Sequence, residues 1–563
     1  MKNRNGFTLI ELLAVIAILA ILIIIALPNV MKMYVKAKKN TFLTEVQNVL
    51  KESSNKFIQE GMSGNKVSVV SNSKNPLNLI GEKLEYKVKL DNKGNVTDYI
   101  ISNGNYCVTS KKSFDNLTVD DVKENCSYED LNNIAGTLDK NYYKIAFGAD
   151  SNKSLVNSIT FYSDGRKLES NATNGTPVDV SEKKDNSVLL YANYISGSSS
   201  IMDLYIIANG KIMFPKDSSN LLAFYSQVMC SSSSSLTGIY LNDAVDTSKV
   251  TNMSNMFAQA APIAVYCASH RWGCGYTVNK INSLDLSNFD TSNVTDMSYM
   301  FMGNQSPDIN LSGFDTSNVV DMSYMFWGAS SLTGLNLNSF NTSNVTNMGG
   351  MFDYAKSLIN LNIDNFNTSK VTDMNYMFSN TKSLKSLNLK KFNTSNVISM
   401  SYIFSGSGLT SLDVSNFDTS KVKYMDSMFA GLNLNSLDLS NFNTGNVTNM
   451  SYMFSSVTLS NLDLRSFNTL KVTNMESMFS FTNINNLNLS NFNTSNVTDM
   501  SSMFSNYKNK TLDLSNFDFT NVTDVRTMFA EAKTTTVYVK DSTAASKING
   551  SSNKPSTLNV IIK

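Results

Sequence analysis

LTGLNLNSFNTSNVTNMGGMF, from Leu332 to Phe352, carries two apolar patterns in succession. In the first, Leu332, Leu335, Leu337 and Phe340 follow LxxLxLxxF, which predicts a short strand whose alternate residues point inward before a tight corner. In the second, Val345, Met348, Met351 and Phe352 recur at helical spacing, which predicts a short helix laid behind the strand. Eight inward side chains, at about 1.5–3 kcal/mol each, make a core that ordering entropy partly offsets. Methionine suits such a face because its unbranched chain adapts to small errors of stacking, so the Met ladder reads as core and not as a copper or haem site.

The same unit returns along the chain. One phenylalanine series runs from Phe289 to Phe517 and a second from Phe257, after an insertion, through Phe301 to Phe529, with spacings of 25 or 26 residues outside the insertion. A fixed period of this size predicts a solenoid in which each copy buries its apolar face against its neighbours. After each phenylalanine of the first series stands Asp or Asn, as at Asp290, Asn341, Asp418 and Asn493. Both supply a side-chain oxygen that caps a turn, whereas a calcium ladder depends on full carboxylate charge, so the free interchange favours capping.

The insertion AQAAPIAVYCASHRWGCGYTVNK, residues 258–280, is the one irregularity. It holds Cys267, His270, Arg271, Trp272, Cys274 and Tyr276. The plain reading is a surface loop closed by Cys267 and Cys274. An alternative is zinc held by Cys267, His270 and Cys274 with Cys230, although the spacing is not a standard one. Since Trp, Tyr and Arg dominate binding hot spots, the loop is also a candidate ligand contact.

Bulk properties narrow the function. The chain has 563 residues, too many for one compact core, and 47 basic against 46 acidic side chains. No global field attracts nucleic acid, so no nucleic-acid partner is expected. His270 is the only histidine. With no nucleophile motif and no paired catalytic carboxylates, the sequence reads as that of a non-enzyme without cofactor or resident metal.

Upstream of the repeats, NSITFYSDGRKL, NSVLLYANYI and MDLYIIANGKIMFP predict strands separated by turns such as Asp164-Gly165 and Asn209-Gly210. Their most economical role is to cap the end of the stack. Further upstream, LEYKVKLDNKGNVTDYIIS predicts a hairpin turning at Asn92, Lys93 and Gly94. Downstream, TTTVYVKD and TLNVIIK predict strands of a C-terminal cap.

The N-terminus reads MKNRNGFTLIELLAVIAILAILIIIALP. From Phe7 to Leu27 the chain is apolar except for Glu11 and is long enough as a helix to span roughly 30 Å, a bilayer's hydrocarbon core. A carboxylate there costs a few kcal/mol, so it needs a partner or a use, and none lies in the segment itself. Beyond Pro28 the pattern turns amphipathic, predicting one helix to about Glu60 that ends at Gly61–Gly64.

Gly6, Phe7, Thr8, Leu9, Ile10 and Glu11 resemble the processing motif of type IV pilins and pseudopilins. The resemblance implies cleavage after Gly6 by a prepilin peptidase, a methylated Phe7, and Glu11 meeting the terminal amine of a neighbouring pilin subunit. It also supports pairing Cys107 with Cys126 in a small head, worth about 3 kcal/mol on the chain-entropy account, against two reduced cysteines in a small core. A plain anchor with a stray acid is the alternative for the whole segment. The repeat, written NFDTSNVTDMSYMF around Asn288 to Phe301, resembles the BspA-like leucine-rich-repeat surface proteins, also met as a mycoplasma-type surface repeat. ANGKIMFPKDSSNLL resembles that family's lead-in segment.

The expected fold class is therefore multidomain, a long N-terminal α-helix with a small α+β pilin-like head, then a β-rich cap and an α/β leucine-rich-repeat solenoid. The divisions are leader 1–6, transmembrane or filament helix 7–60, head 61–139, N-terminal cap 140–236, repeats 237–533 with insertion 258–280, and C-terminal cap 534–563. The resemblances imply a bacterial surface protein held in the membrane by one N-terminal helix, with its body extracellular on the cell surface or pilus. Its function would be adhesion to an extracellular protein or glycan from a minor or tip position. Alternatives are a pseudopilin of a type II secretion or DNA-uptake system and a simple membrane-anchored surface protein.

Overall fold

The computed structural model describes residues 9–62, 67, 69–71, 76–79, 84–110, 116–124, 134–147, 155–168, 170, 172, 176–224, 231–259, 275–278, 281, 283–484 and 486–563, with the backbone alone for 9–29, 69, 134, 231–234, 275–278, 283 and 486. The chain divides into two compact units, Met1–Ile134 and Ala135–Lys563.

In the first unit, helix α1 spans Leu9–Met62. Phe42, Leu43, Val46, Val49 and Leu50 fall on one face of it at helical spacing and are buried. They pack on a meander of five strands in sequence order: β1 (Val69–Ser71), β2 (Glu85–Leu90), β3 (Val96–Ser102), β4 (Tyr106–Ser110) and β5 (Lys123–Glu124). The hairpin of β2 and β3 is antiparallel, with Lys87 opposite Ile100. Its turn needs Gly94, whose φ is +84°, and whose carbonyl accepts from the Ser54 hydroxyl of α1 at 3.1 Å. Before Phe42 the helix leaves Val30, Met31, Met33 and Tyr34 more than half exposed. Among the described residues no helix is long and apolar enough to cross a membrane. The side chains of the apolar segment lie outside the described set, so its membrane reading rests on sequence.

The second unit begins with a six-stranded mixed sheet, in the order Ser283–Leu284, Gly238–Tyr240, Val156–Tyr162, Met202–Ala208, Val188–Tyr194, Val178–Asp179. Strand 202–208 runs antiparallel to 188–194 and parallel to 156–162. The first repeat strand, 238–240, then joins 156–162 in parallel, Ile239 opposite Ile159. The stack thus grows directly from the sheet edge, and one hydrophobic core runs without a break from Leu138 to Leu558.

Within the stack, parallel bridges link equivalent residues of successive copies, from Asp217 through Asn252, Asp296 and Asp321 to Asp524. The second phenylalanine series forms a column of nearly parallel rings, 5.5–6.3 Å between centroids from Phe257 to Phe529. The residues expected to be core are core: Leu332, Leu335, Leu337, Phe340, Val345, Met348, Met351 and Phe352 are all buried. LxxLxLxxF forms paired strands in some copies only, as at Gly334–Asn336 on Asn360–Asn362.

The expected short helix is absent, and its place is taken by a run of turns. In the copy around Phe301, Met297, Tyr299, Phe301 and Gly303 donate their N–H groups sideways to Asp321, Ser323, Met325 and Trp327 of the next copy, at 2.7–3.0 Å. The intervening Met300, Met302 and Asn304 donate back three residues instead. Every second donor is therefore committed to the neighbour, which an α-helix, bonding all its amides internally, cannot do. The three-residue rhythm of the apolar side chains comes from these consecutive turns.

At the C-terminal end, strands Thr511–Leu514, Thr536–Val539 and Asn559–Ile562 pair in parallel, as expected of the cap strands. Helix Ser542–Asn549 crosses between the last two, its start capped by Asp541 on the Ala544 N–H. Ser552 accepts from the N–H group of Thr527 in place of the copy that no longer follows, and Ser551 accepts from that of Met528, which also bonds back to the Val525 carbonyl.

Candidate ligand-binding face of the repeat stack

Three Asx turns shape most copies, the third being absent where Ser399 and Tyr424 replace the Asp or Asn. Around Phe289 they are Asp285 accepting from the Ser287 N–H, Asp290 from Ser292 and Asp296 from Ser298, at 2.8–3.1 Å. Asn341 and Asn367 make the same contact through Oδ1 alone, which is why Asp and Asn interchange there. Behind each such residue a buried threonine joins the copies. Thr368 donates to the Asn393 carbonyl at 2.9 Å and accepts from the Asn393 N–H at 2.8 Å. The reciprocal pair recurs at Thr291, Thr342, Thr419, Thr444 and Thr469.

The run of turns puts two left-handed residues in each copy, four apart: Tyr299 and Gly303, Tyr324 and Gly328, Gly350 and Tyr354, Tyr376 and Asn380. A left-handed tyrosine costs roughly 1–2 kcal/mol, and the turn geometry imposes it, since Ser427, Ser477, Ser502 and Thr527 are left-handed at the same register. These tyrosines are half-buried and line one face. Tyr299 stacks on Tyr324 at 4.9 Å and Tyr376 on Tyr402 at 4.5 Å, both with planes within 10°. Between the pairs stands Gly350. The Tyr324 ring leans into the space a Cβ there would fill, to 2.2 Å of that point.

The same two copies depart from the others directly after the stacked phenylalanine, where most copies carry Ala or Ser and these carry Trp327 and Asp353. Trp327 packs with Ala223, Ala258 and Met302, its ring 5.2 Å from Tyr324. Its Nε1 and the Oδ1 of Asp353 are buried without a hydrogen-bond partner among the described residues. Burial pushes the Asp353 carboxyl up to about 8, against the pull of the Ser379 and Asn380 side chains, the Tyr354 N–H and Lys356. Burial likewise raises the Tyr324 and Tyr376 phenols. The ammonium of Lys356 lies over the Tyr354 ring at 5.1 Å. The face presents half-buried phenols and a ring-held cation.

The residues expected from sequence to carry function fall elsewhere. Gly6 and Phe7 lie outside the described residues, and Glu11 lies on α1 where only the backbone is described. Cys107 is buried on β4 and is disulfide-bonded, while Cys126 lies outside the described residues. Cys230, Cys267, His270, Arg271, Trp272 and Cys274 also lie outside them. Tyr276 belongs to strand Gly275–Val278, which pairs in parallel with Ser231–Ser234. Sequence reasoning missed the tyrosine ladder, Trp327 and Asp353. The available signal was internal: at these positions the copies differ while their core letters do not.

Fold and face define a stacked-repeat protein whose N-terminus is of the pilin type. Residues 1–27 match the prokaryotic N-terminal methylation motif. That motif implies processing by a prepilin peptidase and assembly with pilin subunits. Residues 228–267, 274–387, 357–462 and 431–542 match the family described as Mycoplasma protein of unknown function, DUF285, over more than half of the chain. The chain belongs to that family. No curated protein and no solved structure gives a match. A methylation motif joined to such repeats indicates a surface protein.

Proposed function

We propose that this chain is a pilin-like surface protein whose repeats form a BspA-type leucine-rich-repeat solenoid displayed for adhesion to an extracellular protein or glycan. The observation that carries the reading is the covalent order of the chain, a methylation motif ahead of an extended repeat face. After cleavage at Gly6, the helix from Phe7 holds the subunit in the membrane and Glu11 meets the amine of a neighbouring subunit. A buried acid has that use in assembly and little use in a lone anchor. Binding rather than catalysis is the task, and a minor or tip position suits the size of the displayed body better than a secretion or DNA-uptake pseudopilin would. Mass spectrometry of the mature N-terminus, with fractionation of sheared surface material, tests the proposal. The expected result is a methylated Phe7 in the sheared fraction. Glu11→Ala should lose incorporation while cleavage continues. An intact Met1 in membrane-only protein would leave a plain anchored surface protein.

A further inference from the structure

Three consecutive copies are one residue longer than their successors between the stacked phenylalanine and the next leucine: five residues follow Phe326, Phe352 and Phe378, and four follow Phe404. The extra residue closes a tight turn, with Ser330 N–H donating to Gly328, Lys356 to Tyr354 and Lys382 to Asn380 at 2.7–3.0 Å. Shorter copies stack without it, so stacking does not require it. The turn places Lys356 and Lys382 at the same position in adjacent copies, about 4.8 Å apart along the stack. Lys385 lies beside them, its Nζ 3.4 Å from the Lys382 carbonyl.

The short copy that follows provides a floor of glycine. The Lys382 ammonium is 3.1 Å from where a Cβ on Gly406 would stand, and a Cβ on Gly408 would meet the Lys382 carbonyl at 2.0 Å. Between the two glycines the Ser407 hydroxyl is buried without a partner among the described residues. Other lysines of the stack serve the fold: Lys370, Lys421 and Lys471 each donate to an asparagine oxygen of the preceding copy at 2.6–2.7 Å. Lys356 and Lys385 are held by a ring and a carbonyl, which fix an ammonium without neutralising it. Like charges in adjacent copies repel, and an anion lying across both relieves that repulsion.

We propose that Lys356, Lys382 and Lys385, above the Gly406–Gly408 step, bind the acidic groups of a polysaccharide running along the stack. The inference rests on the reading of the stack as an extracellular binding surface and names its ligand class. Phenol edges suit sugar hydroxyls. Two pairs of ladder tyrosines spend ring faces on each other, which leaves those faces closed to the base stacking that single-stranded nucleic acid uses.

Binding of the detergent-purified full chain to dextran sulfate, carboxymethyl dextran, neutral dextran and single-stranded DNA tests the proposal. The two acidic dextrans should bind and weaken with salt, and neutral dextran should not bind. Combining Lys356→Gln, Lys382→Gln and Lys385→Gln should weaken binding about tenfold, the loss expected of three exposed ion pairs. The matching Lys→Arg set should retain binding, which separates charge from folding. Changing Lys370, Lys421 and Lys471 to Gln should leave it unchanged. Equal binding by the first Gln set, equal binding of neutral dextran, or tighter DNA binding through the same lysines would overturn the proposal. If the purified chain bound no dextran while cells displaying it still adhered, the ligand class would fall and the adhesion reading would stand.

Discussion

Asp353→Asn should make the repeat unit more stable as pH rises. The folded protein holds a proton on Asp353 up to about pH 8, whereas the unfolded chain releases it near the ordinary 3.8. Between those values the unfolded state binds fewer protons, so the aspartate lowers stability by about 1.4 kcal/mol per pH unit, and the loss levels off above the folded value. Carried from 3.8 to pH 7, the ceiling on this penalty is on the order of 4 kcal/mol. Asparagine keeps the shape, cannot ionise, and still offers an oxygen to the Ser379 and Asn380 side chains. Thermal melts of wild type and variant from pH 4 to pH 9 should coincide at the acid end and separate steadily, the variant melting several degrees higher at pH 8. Curves that stay parallel across the range would refute the argument, since they would show that Asp353 ionises in the folded state as freely as in the unfolded one.

Thr368→Val keeps the shape of a fully buried side chain but strands the N–H and carbonyl of Asn393. It should cost about 1–3 kcal/mol in a denaturant melt, against less than about 0.5 kcal/mol for the exposed Thr333→Val. Asp418→Asn preserves the Oδ1 that accepts from the Ser420 N–H at 2.9 Å, so its stability should match wild type, while Asp418→Ala should lose about 1 kcal/mol. Equal losses for the two Asp418 variants would show that charge, not turn geometry, is selected there.

The repeat core was legible in sequence because burial depends only on which side chains are apolar and how they recur. The pattern points Val345, Met348, Met351 and Phe352 inward whether a helix or a run of turns carries them, and all four are buried. Spacings of three and four are shared by helices and by consecutive turns, and only the hydrogen-bond partners separate the two. Those partners lie in the adjacent copy, where a local periodicity argument does not reach. The Asx caps were legible for the converse reason, since Asn and Asp bond their own backbone two residues on. The threonine ladder was not, because a buried hydroxyl between copies and an exposed one beside a turn use the same letter. Trp327 and Asp353 were not legible because each is a single departure inside a regular copy and leaves the period intact, whereas the insertion around Trp272 breaks it. The β2–β3 hairpin was fully local in its signals and was read as it stands.

Within the run of turns the sideways donors have one direction. Met297, Tyr299, Phe301 and Gly303 give to the following copy, as do their counterparts down the column, until Ser552 receives from Thr527. Each joint therefore presents the same plug and the same socket. Excising or duplicating one whole regular copy in the coding sequence would bring together faces that already fit, changing the reach of the molecule in steps of about 5 Å without redesigning either end.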